Sequence, residues 1–540
     1  MTQTLPGLMS HAPLLVSSLI DHAARHHRGG EIVSRLGDGS LHRYRYPDCR
    51  RRAMRLASAL ERSGVQPGTR VATIAWNGFR HLELYFGVGG MGAVCHTINP
   101  RLHPDQIAYI IRDAADQMVF FDVEFAGLVG EIAGLCPEVR HWVALCDAHE
   151  VPAGAKLPLE SYEALLERGC EDYQWPVFDE SAACGLCYTS GTTGQPKGVL
   201  YTNRSTVLHA YAASLPNAMN LSSHSVVMPV VPMFHVNAWG IPYAAPLNGA
   251  KLVLPGRMLD GASLHALIEA EGVTFAAGVP TIWLSLLEHV ERNSGRFDAL
   301  REAAIGGSAC PVSMVDRFHA LGVDVVHGWG MTETSPLGCL SRLSPGHTDL
   351  PLEERRRILQ KQGHALFGID MKIVDGRGAE LPWDGRSFGD LMVRGPWVLE
   401  RYYGADRPAG EGGWFATGDV ATIDPGGAMQ IMDRTKDIIK SGGEWISSID
   451  VESIAMAHPD LLEAACIAAE HPKWGERPLL IAVARPGAEV SAGDVLRFFE
   501  GKAAKWWIPD EVVFVESLPH NATGKVQKRD LRERYAGLLA

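Results

Sequence analysis

The chain has 540 residues, enough for roughly three or four folding units. Its 46% hydrophobic and 21% charged residues exclude a disordered or fibrous protein. The net charge of −12, from 50 basic and 62 acidic residues, argues against general nucleic-acid binding. We therefore expect no nucleic-acid partner and a local site for any polyanionic ligand.

Two further features bear on the cellular compartment. No uninterrupted apolar run approaches the roughly 18 residues of a membrane helix, and no basic segment precedes the apolar residues near the first methionine. The ten cysteines lack a repeating spacing, which is typical of reduced thiols. We expect a cytoplasmic protein without a membrane span.

Short β-branched runs alternate with amphipathic stretches, a pattern that predicts an α/β fold. The clearest unit is a strand at Val71–Trp76, a helix at Phe79–Met91 and a strand at Ala93–Ile98. Similar strands are predicted at Ser225–Val231, Ala250–Leu254 and Val323–His327. The polar stretch Ser344–Gly363 and the glycine-rich stretch Gly404–Gly413 are predicted to be surface connections.

The pattern changes after Asp433–Lys436, which predicts a domain boundary. A hairpin turning at Gly442–Gly443 comes first, and Ser447 with Asp450 fits a capping box for a helix from about Ile449. Strands are predicted at Leu479–Ala484 and Glu511–Val515. About a hundred residues in this α+β order are typical of a small domain.

The segment Tyr188–Gly198, YTSGTTGQPKG, follows an apolar run and is rich in potential phosphate ligands. It contains the hydroxyls of Thr189, Ser190, Thr192 and Thr193, the glycines Gly191, Gly194 and Gly198, and Lys197. Phosphate oxygens need converging donors, and glycine lets backbone N–H groups approach them. By composition alone, an ordinary Ser/Thr/Gly surface turn is an equal alternative. A Walker A loop is rejected, because Pro196 precedes the lysine and a glycine follows it.

Two other patterns are less informative. Gly87, Gly89 and Gly92 form GxGxxG, but a helical stretch precedes them and β-branched residues follow, the reverse of the dinucleotide-binding order. Cys184 and Cys187 form CxxC without a second thiol pair or a nearby histidine, so we interpret them as strand residues.

Nine segments, which occur in the same order as in a known superfamily, carry a resemblance to it. They are YTSGTTGQPKG, MFHVNAWG (233–240), GVPTIWL (278–284), GGSA (306–309), HGWGMTETSP (327–336), RGPWVLERYY (394–403), WFATGD (414–419), DRTKDIIKSGGEWIS (433–447) and ATGK (522–525). The chain resembles the adenylate-forming superfamily of acyl-CoA synthetases, peptide-synthetase adenylation domains and luciferases, and within it the bacterial medium- and long-chain fatty acyl-CoA synthetases. The resemblance implies a large multi-subdomain N-terminal domain, residues 1–434, and a small mobile α+β domain, residues 435–540.

The resemblance implies that ATP and a carboxylic acid give acyl-AMP and pyrophosphate, and that coenzyme A then takes the acyl group. Attack of a carboxylate on a phosphate brings two anions together, so the site must neutralise charge. The implied catalytic residues are Lys525, Glu333 and His235, and the implied Mg²⁺ ligands are Glu333 and Thr189. Trp329 would stack on adenine and Asp419 would accept the ribose hydroxyls. Further implied nucleotide contacts are Ser190 to Gly194, Lys197, Gly307, Ser308, Ala309, His327, Gly328, Thr332, Arg434, Lys436, Lys440 and Trp445.

The resemblance also implies a hinge at Lys436, about which the small domain rotates between the two half-reactions. After rotation, Gly442, Gly443 and Glu444 would replace Lys525 beside the adenylate and take part in thioesterification. The closest similarity further implies a homodimer.

His235 and Trp239 lie four residues apart and would share a helical face if the segment is helical. By resemblance they border the acyl pocket, together with Val279 and Gly338, although a packed aromatic core helix is the alternative. No cationic residue occurs among these positions, which argues against a second carboxylate on the acid. We predict a medium- or long-chain fatty acid. The alternatives are a short thioether or aryl acid, an adenylating enzyme that loads a carrier protein, and a non-enzymatic ATP-binding module.

Overall fold

Helices and strands alternate through most of the chain in the computed structural model, which describes residues 7–152, 157–189, 195–347, 349–442, 444–520 and 525–540. The helices are α1 (Val16–His26), α2 (Tyr46–Arg62), α3 (Phe79–Gly90), α4 (Pro104–Ala114), α5 (Ala126–Ile132), α6 (Tyr162–Glu167), α7 (Asn203–Ser214), α8 (Val236–Trp239), α9 (Ile241–Asn248), α10 (Gly261–Glu271), α11 (Pro280–Arg292), α12 (Val312–Ala320), α13 (Leu352–Gln360), α14 (Ser448–Met456), α15 (Ala492–Phe498) and α16 (Lys528–Tyr535).

The strands follow the same chain order. They are β1 (Glu31–Arg35), β2 (Leu41–Arg45), β3 (Arg70–Ile74), β4 (Val94–Thr97), β5 (Met118–Phe121), β6 (His141–Ala144), β7 (Leu159–Ser161), β8 (Ala183–Tyr188), β9 (Gly198–Thr202), β10 (Val226–Pro229), β11 (Lys251–Leu254), β12 (Phe275–Gly278), β13 (Glu302–Ile305), β14 (Asp324–Gly330), β15 (Leu337–Leu340), β16 (His364–Ala365), β17 (Asp370–Val374), β18 (Gly389–Arg394), β19 (Gly410–Glu411), β20 (Trp414–Ile423), β21 (Met429–Arg434), β22 (Ile439–Ser441), β23 (Glu444–Ile446), β24 (Leu461–His471), β25 (Gly475–Ala484) and β26 (Glu511–Phe514).

The first of two compact units comprises Met1–Tyr211, Leu221–His224 and Pro232–Gly256. It contains a sheet in the order β7-β6-β5-β3-β4-β8-β9, parallel except for β9, which runs antiparallel to β8. Residues of β3 and β5 pack against helices α4 and α5 in a buried apolar cluster. The predicted strand–helix–strand unit is confirmed in β3, α3 and β4.

The second unit comprises Ala212–Asn220, Ser225–Val231 and Arg257–Ala540. Strands β10, β12, β13 and β14 run parallel, and β15 and β16 continue the sheet antiparallel. A separate antiparallel sheet joins β17, β18, β20, β19 and β21. The carboxyl ends of the parallel strands meet at one edge, which is where open α/β sheets bind ligands.

The last hundred or so residues of this unit contain a third sheet, in the order β23-β22-β25-β24, with β26 parallel to β25. Alternate residues of β25 face two apolar clusters, with Leu480 and Ala482 on one side and Leu479 and Ile481 on the other. Helices α14 and α15 cover the first side, and α16 covers the second. The predicted hairpin, the helix after Ser447 and both predicted strands are confirmed, as is the α/β class of the chain.

One of the two predicted surface connections needs correction. Part of Ser344–Gly363, predicted as a surface connection, is helix α13, which is held by the Arg356–Asp316 ion pair at 2.6 Å and by the buried Leu359. The predicted surface connection Gly404–Gly413 is confirmed, since most of its residues are exposed and its only strand is the two-residue β19.

The two sequence patterns that we interpreted as structural lie in regular elements. Gly87 and Gly89 belong to α3 and precede β4, so the dinucleotide-binding order is not met. All ten cysteines are free, and Cys184 and Cys187 lie on β8. Within the described ranges, no helix combines the length and apolarity that a membrane crossing requires.

Candidate nucleotide-binding and catalytic site

Several predicted nucleotide-binding residues, and the predicted acyl-pocket residue Val279, lie at the carboxyl ends of the parallel strands in the second unit. Val279 directly follows β12, and Gly307 follows β13 with a φ of +83°. A Cβ added at Gly307 would lie 3.4 Å from Cγ1 of Val279, so the two residues are neighbours. Ser308 and Ala309 continue this connection, and His327, Gly328 and Trp329 belong to β14. The strands therefore bring together residues that are widely separated in the sequence.

His327 is buried beneath this edge. Its Nδ1 lies 3.0 Å from the carbonyl oxygen of Gln360, which can only accept, so Nδ1 carries a proton. Its Nε2 lies 3.5 Å from Nε2 of Gln362. Burial lowers the pKa of His327 to about 4, so the imidazole is neutral at physiological pH.

Trp329, the residue predicted to stack on adenine, contacts Asp419, the residue predicted to bind the ribose. Its indole Nε1 donates to Oδ2 of Asp419 at 2.8 Å. A Cβ added at Gly338 would lie 2.4 Å from a ring atom of Trp329, so Gly338 permits the ring to lie against the backbone. The ring orientation is thus fixed by one hydrogen bond and by one residue without a side chain.

The Asp419 carboxylate is only 4% exposed and is bound from two sides. In addition to Trp329, Nε of Arg434 lies 2.9 Å from Oδ1 of Asp419, because β20 and β21 pair these two residues directly. Burial raises the pKa of Asp419, while Arg434, the indole hydrogen bond and Lys525 oppose this effect. Asp419 is therefore a buried hydrogen-bond acceptor whose negative charge is balanced by Arg434 and Lys525.

Lys525 interacts electrostatically with both Asp419 and Arg434. Burial, followed by repulsion from Arg434, lowers the pKa of Lys525 to about 8, and Asp419 opposes this shift. These interactions link Lys525 to residues some ninety positions or more earlier in the chain. The predicted catalytic lysine and the predicted ribose-binding residues are thus neighbours.

Glu333 lies in a short 3₁₀ turn, Thr332–Thr334, immediately after β14 and is buried. The hydroxyl of Tyr402 donates to Oε1 of Glu333 at 2.8 Å, and the backbone N–H of Leu399 donates to the Glu333 carbonyl oxygen at 2.7 Å. Burial and the adjacent Glu333 charge raise the pKa of Tyr402, which therefore remains a donor. In the part of the chain that the structure describes, no cluster of three His, Cys, Asp or Glu side chains is arranged to hold a metal ion.

The predicted phosphate loop belongs to the first unit, where it joins β8 to β9. The Thr189 backbone N–H donates to the Lys197 carbonyl oxygen at 2.9 Å, and the Lys197 backbone N–H donates to the Thr189 hydroxyl oxygen at 3.3 Å. The two ends of the loop are therefore tied together. Ser190, Gly191, Thr192, Thr193 and Gly194 lie outside the described residues.

The segment between His235 and Trp239 is not a right-handed helix. Val236, Asn237, Ala238 and Trp239 all have φ between +47° and +58°, so they form one left-handed turn. The shared helical face predicted for His235 and Trp239 is therefore wrong, because that spacing rule applies to right-handed helices. Asn237 Oδ1 lies 3.2 Å from the hydroxyl of Tyr85, which also donates to the Met233 carbonyl oxygen at 2.5 Å.

The predicted thioesterification hairpin consists of β22 and β23, in which Lys440 pairs with Trp445. The Lys440 ammonium lies 5.9 Å from the Trp445 ring centroid. Burial lowers the pKa of Lys436, which precedes the hairpin. Gly443 and the side chain of Glu444 lie outside the described part of the chain.

A cleft of about 420 Å³ opens beside the described end of this hairpin. It is lined by Ser441, Gly442, Trp474, Arg477, Lys505, Trp506 and Asp510. Gly442 has a φ of +58°, and its N–H donates to the Trp474 carbonyl oxygen at 2.8 Å. The cleft combines half-exposed indole rings with cationic side chains.

Comparison with known proteins agrees with this geometry. The family described as AMP-binding enzyme matches residues 20–403, and the AMP-binding enzyme C-terminal domain matches residues 450–525. The chain belongs to the AMP-binding enzyme family. The 3-methylmercaptopropionyl-CoA ligase of Ruegeria lacuscaerulensis is 53% identical over 99% of both chains. The medium-chain-fatty-acid–CoA ligase of Ectopseudomonas oleovorans is 50% identical over 99% of this chain and 98% of its own. A crystal structure of an anthranilate CoA ligase with anthranoyl-AMP has a TM-score of 0.85 at 24% identity, covering 96% of each chain, which shows the shared fold.

The site of this AMP-binding enzyme includes residues that sequence reasoning did not assign. Tyr402 lies in the quoted segment RGPWVLERYY, but nothing in that segment indicates that its hydroxyl reaches Glu333. Gln362 donates toward His327 and accepts the Ile431 N–H at 2.6 Å, and it lies in a stretch that was predicted to be a plain connection. Both contacts join distant parts of the chain, and no local pattern reports them.

Proposed function

We propose that this AMP-binding enzyme is an AMP-forming acyl-CoA ligase. In the first half-reaction, an acid carboxylate oxygen attacks the α-phosphorus of ATP and pyrophosphate leaves. In the second, the coenzyme A thiol attacks the acyl-adenylate carbonyl and AMP leaves. The observation that supports the proposal is the buried Asp419 carboxylate, which lies 2.9 Å from Arg434 and 2.8 Å from the Trp329 indole and is within electrostatic range of Lys525.

In the first half-reaction, different residues would bind different parts of ATP and the acid. Trp329 would stack on adenine while its N–H orients Asp419, and Asp419 would accept the ribose hydroxyls. Lys525 would bridge the attacking carboxylate and the α-phosphate as a mobile point charge. The loop closed by Thr189 and Lys197 would bind the distal phosphates through its hydroxyl and backbone donors. His235 is proposed to act at the acyl end of the site.

Glu333 fits the chemistry of a Mg²⁺ ligand. It is a buried carboxylate held by Tyr402, and Mg²⁺ in nucleotide sites is held by one or two carboxylates plus substrate phosphates. When bound, Mg²⁺ would neutralise part of the triphosphate charge. The Tyr402 hydroxyl would fix the direction of the Glu333 carboxylate, and the Thr189 hydroxyl is the second proposed ligand.

For the second half-reaction, we propose that residues 435–540 rotate about Lys436 as a domain separate from residues 1–434. The hairpin residues Gly442, Gly443 and Glu444 would then take the place of Lys525. Because the cleft beside Gly442 contains Lys505 and exposed indole rings, it is suited to the phosphates and adenine of coenzyme A. A Lys436→Pro change should stop overall turnover, since proline fixes φ.

The proposed substrate is an apolar acid with a single carboxylate, most specifically a medium- or long-chain fatty acid. The names of the 50% identical medium-chain relative and of the 45% identical long-chain-fatty-acid–CoA ligase of Thermus thermophilus support this choice. A short thioether acid is the second candidate, because the relative at 53% identity is a 3-methylmercaptopropionyl-CoA ligase. Val279, Gly338 and Trp239 are the proposed acyl-site residues.

The test is CoA-dependent AMP release with saturated acids of two to eighteen carbons, 3-methylmercaptopropionate and several aryl acids. We expect release with apolar acids and none with dicarboxylates. Lys525→Ala should abolish pyrophosphate exchange but spare thioester formation from supplied acyl-adenylate. Absence of ATP–pyrophosphate exchange in the wild-type enzyme with every acid would refute the proposed function.

We also propose a cytoplasmic location and a homodimeric assembly. Light scattering coupled to size-exclusion chromatography tests the latter, with a mass near 117 kDa expected from twice the 58.7 kDa chain. A mass equal to that of one chain would refute the homodimer.

A further inference from the structure

A chain of buried polar contacts joins the two sides of the proposed hinge. Asp433 is the penultimate residue of β21, three positions before Lys436, and Ser448 is the first residue of α14, twelve positions after Lys436. The Ser448 backbone N–H donates to Asp433 Oδ2 at 2.7 Å, and its hydroxyl donates to the same oxygen at 2.5 Å. Asp433 and Ser448 are 1% and 0% exposed. The contact between Asp433 and Ser448 is therefore shielded from water, and two donors of Ser448 share one carboxylate oxygen of Asp433.

The same chain continues to the segment that contains the proposed catalytic lysine. The Lys528 ammonium donates to the Ser448 hydroxyl oxygen at 2.5 Å and lies 2.7 Å from Oε1 of Glu452. Lys528 is the first residue of α16, three positions after Lys525. These contacts therefore anchor the chain three residues after Lys525.

The other oxygen of Asp433 leads directly to the nucleotide site. Asp433 Oδ1 accepts the backbone N–H of Arg434 at 2.7 Å, and the Arg434 side chain binds Asp419. The Asp433 carboxylate thus contacts Arg434, whose side chain binds the proposed ribose acceptor, and Ser448, whose hydroxyl accepts a hydrogen bond from Lys528. The Ser447 hydroxyl adds a parallel bond to the Met432 carbonyl oxygen at 2.5 Å.

We propose that Asp433, Ser448 and Lys528 are positioning residues that act as a clasp, holding the proposed mobile domain, residues 435–540, in the orientation that keeps Lys525 within electrostatic range of Asp419. The clasp rests on the proposed two-step function, because it links residues on opposite sides of Lys436 and must open when that hinge turns. Its strength sets the balance between the adenylation and thioesterification orientations. None of the three side chains needs to contact a substrate.

This role differs from ordinary structural stabilisation in one measurable respect. If the two orientations interconvert faster than they react, the ratio of thioesterification to adenylation efficiency is proportional to the ratio of their populations. Weakening a contact that exists in only one orientation changes this ratio by the same factor, whichever orientation dominates. General destabilisation lowers both efficiencies and leaves their ratio unchanged.

The experiment measures kcat/KM for ATP–pyrophosphate exchange and for thioester formation from supplied acyl-adenylate. Ser448→Ala removes the hydroxyl relay and leaves the Lys528–Glu452 pair in place. We expect the ratio of thioesterification to adenylation to rise about tenfold, equivalent to about 1.4 kcal/mol, the low end for a hydrogen bond to a charged group. Asp433→Asn should act in the same direction. Because both changes break the same Asp433–Ser448 contact, their effects should not add. The ratio of thioesterification to adenylation in the double variant should exceed that of either single variant by no more than about twofold.

The matched control is Glu302→Gln. Glu302 and Arg342 form a bidentate pair at 2.7 Å with side chains 21% exposed, and both precede the hinge. We expect this variant to lower thermal stability and to leave the ratio within twofold of wild type. A ratio that stays within twofold, or falls, in both folded clasp variants would overturn the clasp. Failure of wild-type pyrophosphate exchange would instead overturn the proposed function, so the two failures are distinguishable.

Discussion

Replacing Trp329 by phenylalanine would remove one hydrogen bond and retain a flat aromatic face for adenine. The bond that is lost joins the indole N–H to Oδ2 of Asp419 at 2.8 Å. The Asp419 carboxylate is almost fully buried, so water cannot readily replace the missing donor. The change therefore tests whether the indole orients the proposed ribose acceptor.

The size of the effect follows from the charge on the acceptor. Hydrogen bonds to charged groups contribute about 1.5–3 kcal/mol, and about 1.4 kcal/mol changes an equilibrium constant tenfold. We expect the dissociation constant for ATP to rise about 10- to 100-fold. Because the indole hydrogen bond favours the ionised carboxylate, its loss should also raise the pKa of Asp419. The ionised form accepts the ribose hydroxyls, so the acidic limb of kcat/KM for ATP should move to higher pH.

Titration calorimetry with ATP and a pH profile of pyrophosphate exchange measure the two effects. Trp283→Phe is the matched control, because Trp283 is fully buried in the same unit and its Nε1 donates to a neutral carbonyl, Ala304 O, at 3.2 Å. That variant should lose stability but keep the acidic limb of the wild type. Unchanged ATP affinity and an unchanged acidic limb in Trp329→Phe would refute this reasoning, as would an equal shift in Trp283→Phe.

Three further predictions concern single positions. Gly338→Ala places a Cβ 2.4 Å from the Trp329 ring. Overpacking costs about 1–3 kcal/mol, so the dissociation constant for ATP measured by calorimetry should rise about tenfold. The control is Gly376→Ala, whose added Cβ meets nothing within 4 Å and should leave this dissociation constant unchanged. Lys525 has a pKa of about 8 and acts as the protonated form, so kcat/KM for pyrophosphate exchange should fall as pH rises through about 8; in Lys525→Arg, whatever activity remains should lose this limb, and its persistence would contradict the assignment. Lys505→Ala should raise KM for coenzyme A about tenfold without affecting pyrophosphate exchange, and an unchanged KM would exclude the cleft as the coenzyme A site.

Local patterns predicted those parts of the fold that local forces determine. Helix α3 was expected at Phe79–Met91 and spans Phe79–Gly90. The Ser447 side chain accepts the Asp450 N–H, as the capping pattern predicted. Strand β24, by contrast, reads LLEAACIAAEH, which is rich in helix-forming residues, and it is a strand because ten of its residues pair with β25.

The candidate site shows the same division. The motifs predicted Asp419, Trp329 and Lys525 as individual residues, and the structure brings these three together. The hydrogen bond from Tyr402 to Glu333 and the contact of Ser448 with Asp433 depend on how separate elements pack, and sequence spacing carries no signal for them. The left-handed turn was also missed, because Val-Asn-Ala-Trp has no glycine to indicate positive φ.

That left-handed turn limits how this protein could be redesigned. A left-handed conformation costs about 1–2 kcal/mol per residue, so Val236–Trp239 store about 4–8 kcal/mol, comparable with the stability of a whole small domain. The surrounding structure must supply this energy, through contacts such as Tyr85 with Asn237 and the Asn77 side chain, which accepts the Met233 N–H at 2.7 Å. Transplanting the tetrapeptide into a different scaffold would release the strain and lose its shape. Substitutions meant to reshape the turn should therefore begin at the residues that hold it, such as Tyr85 and Asn77.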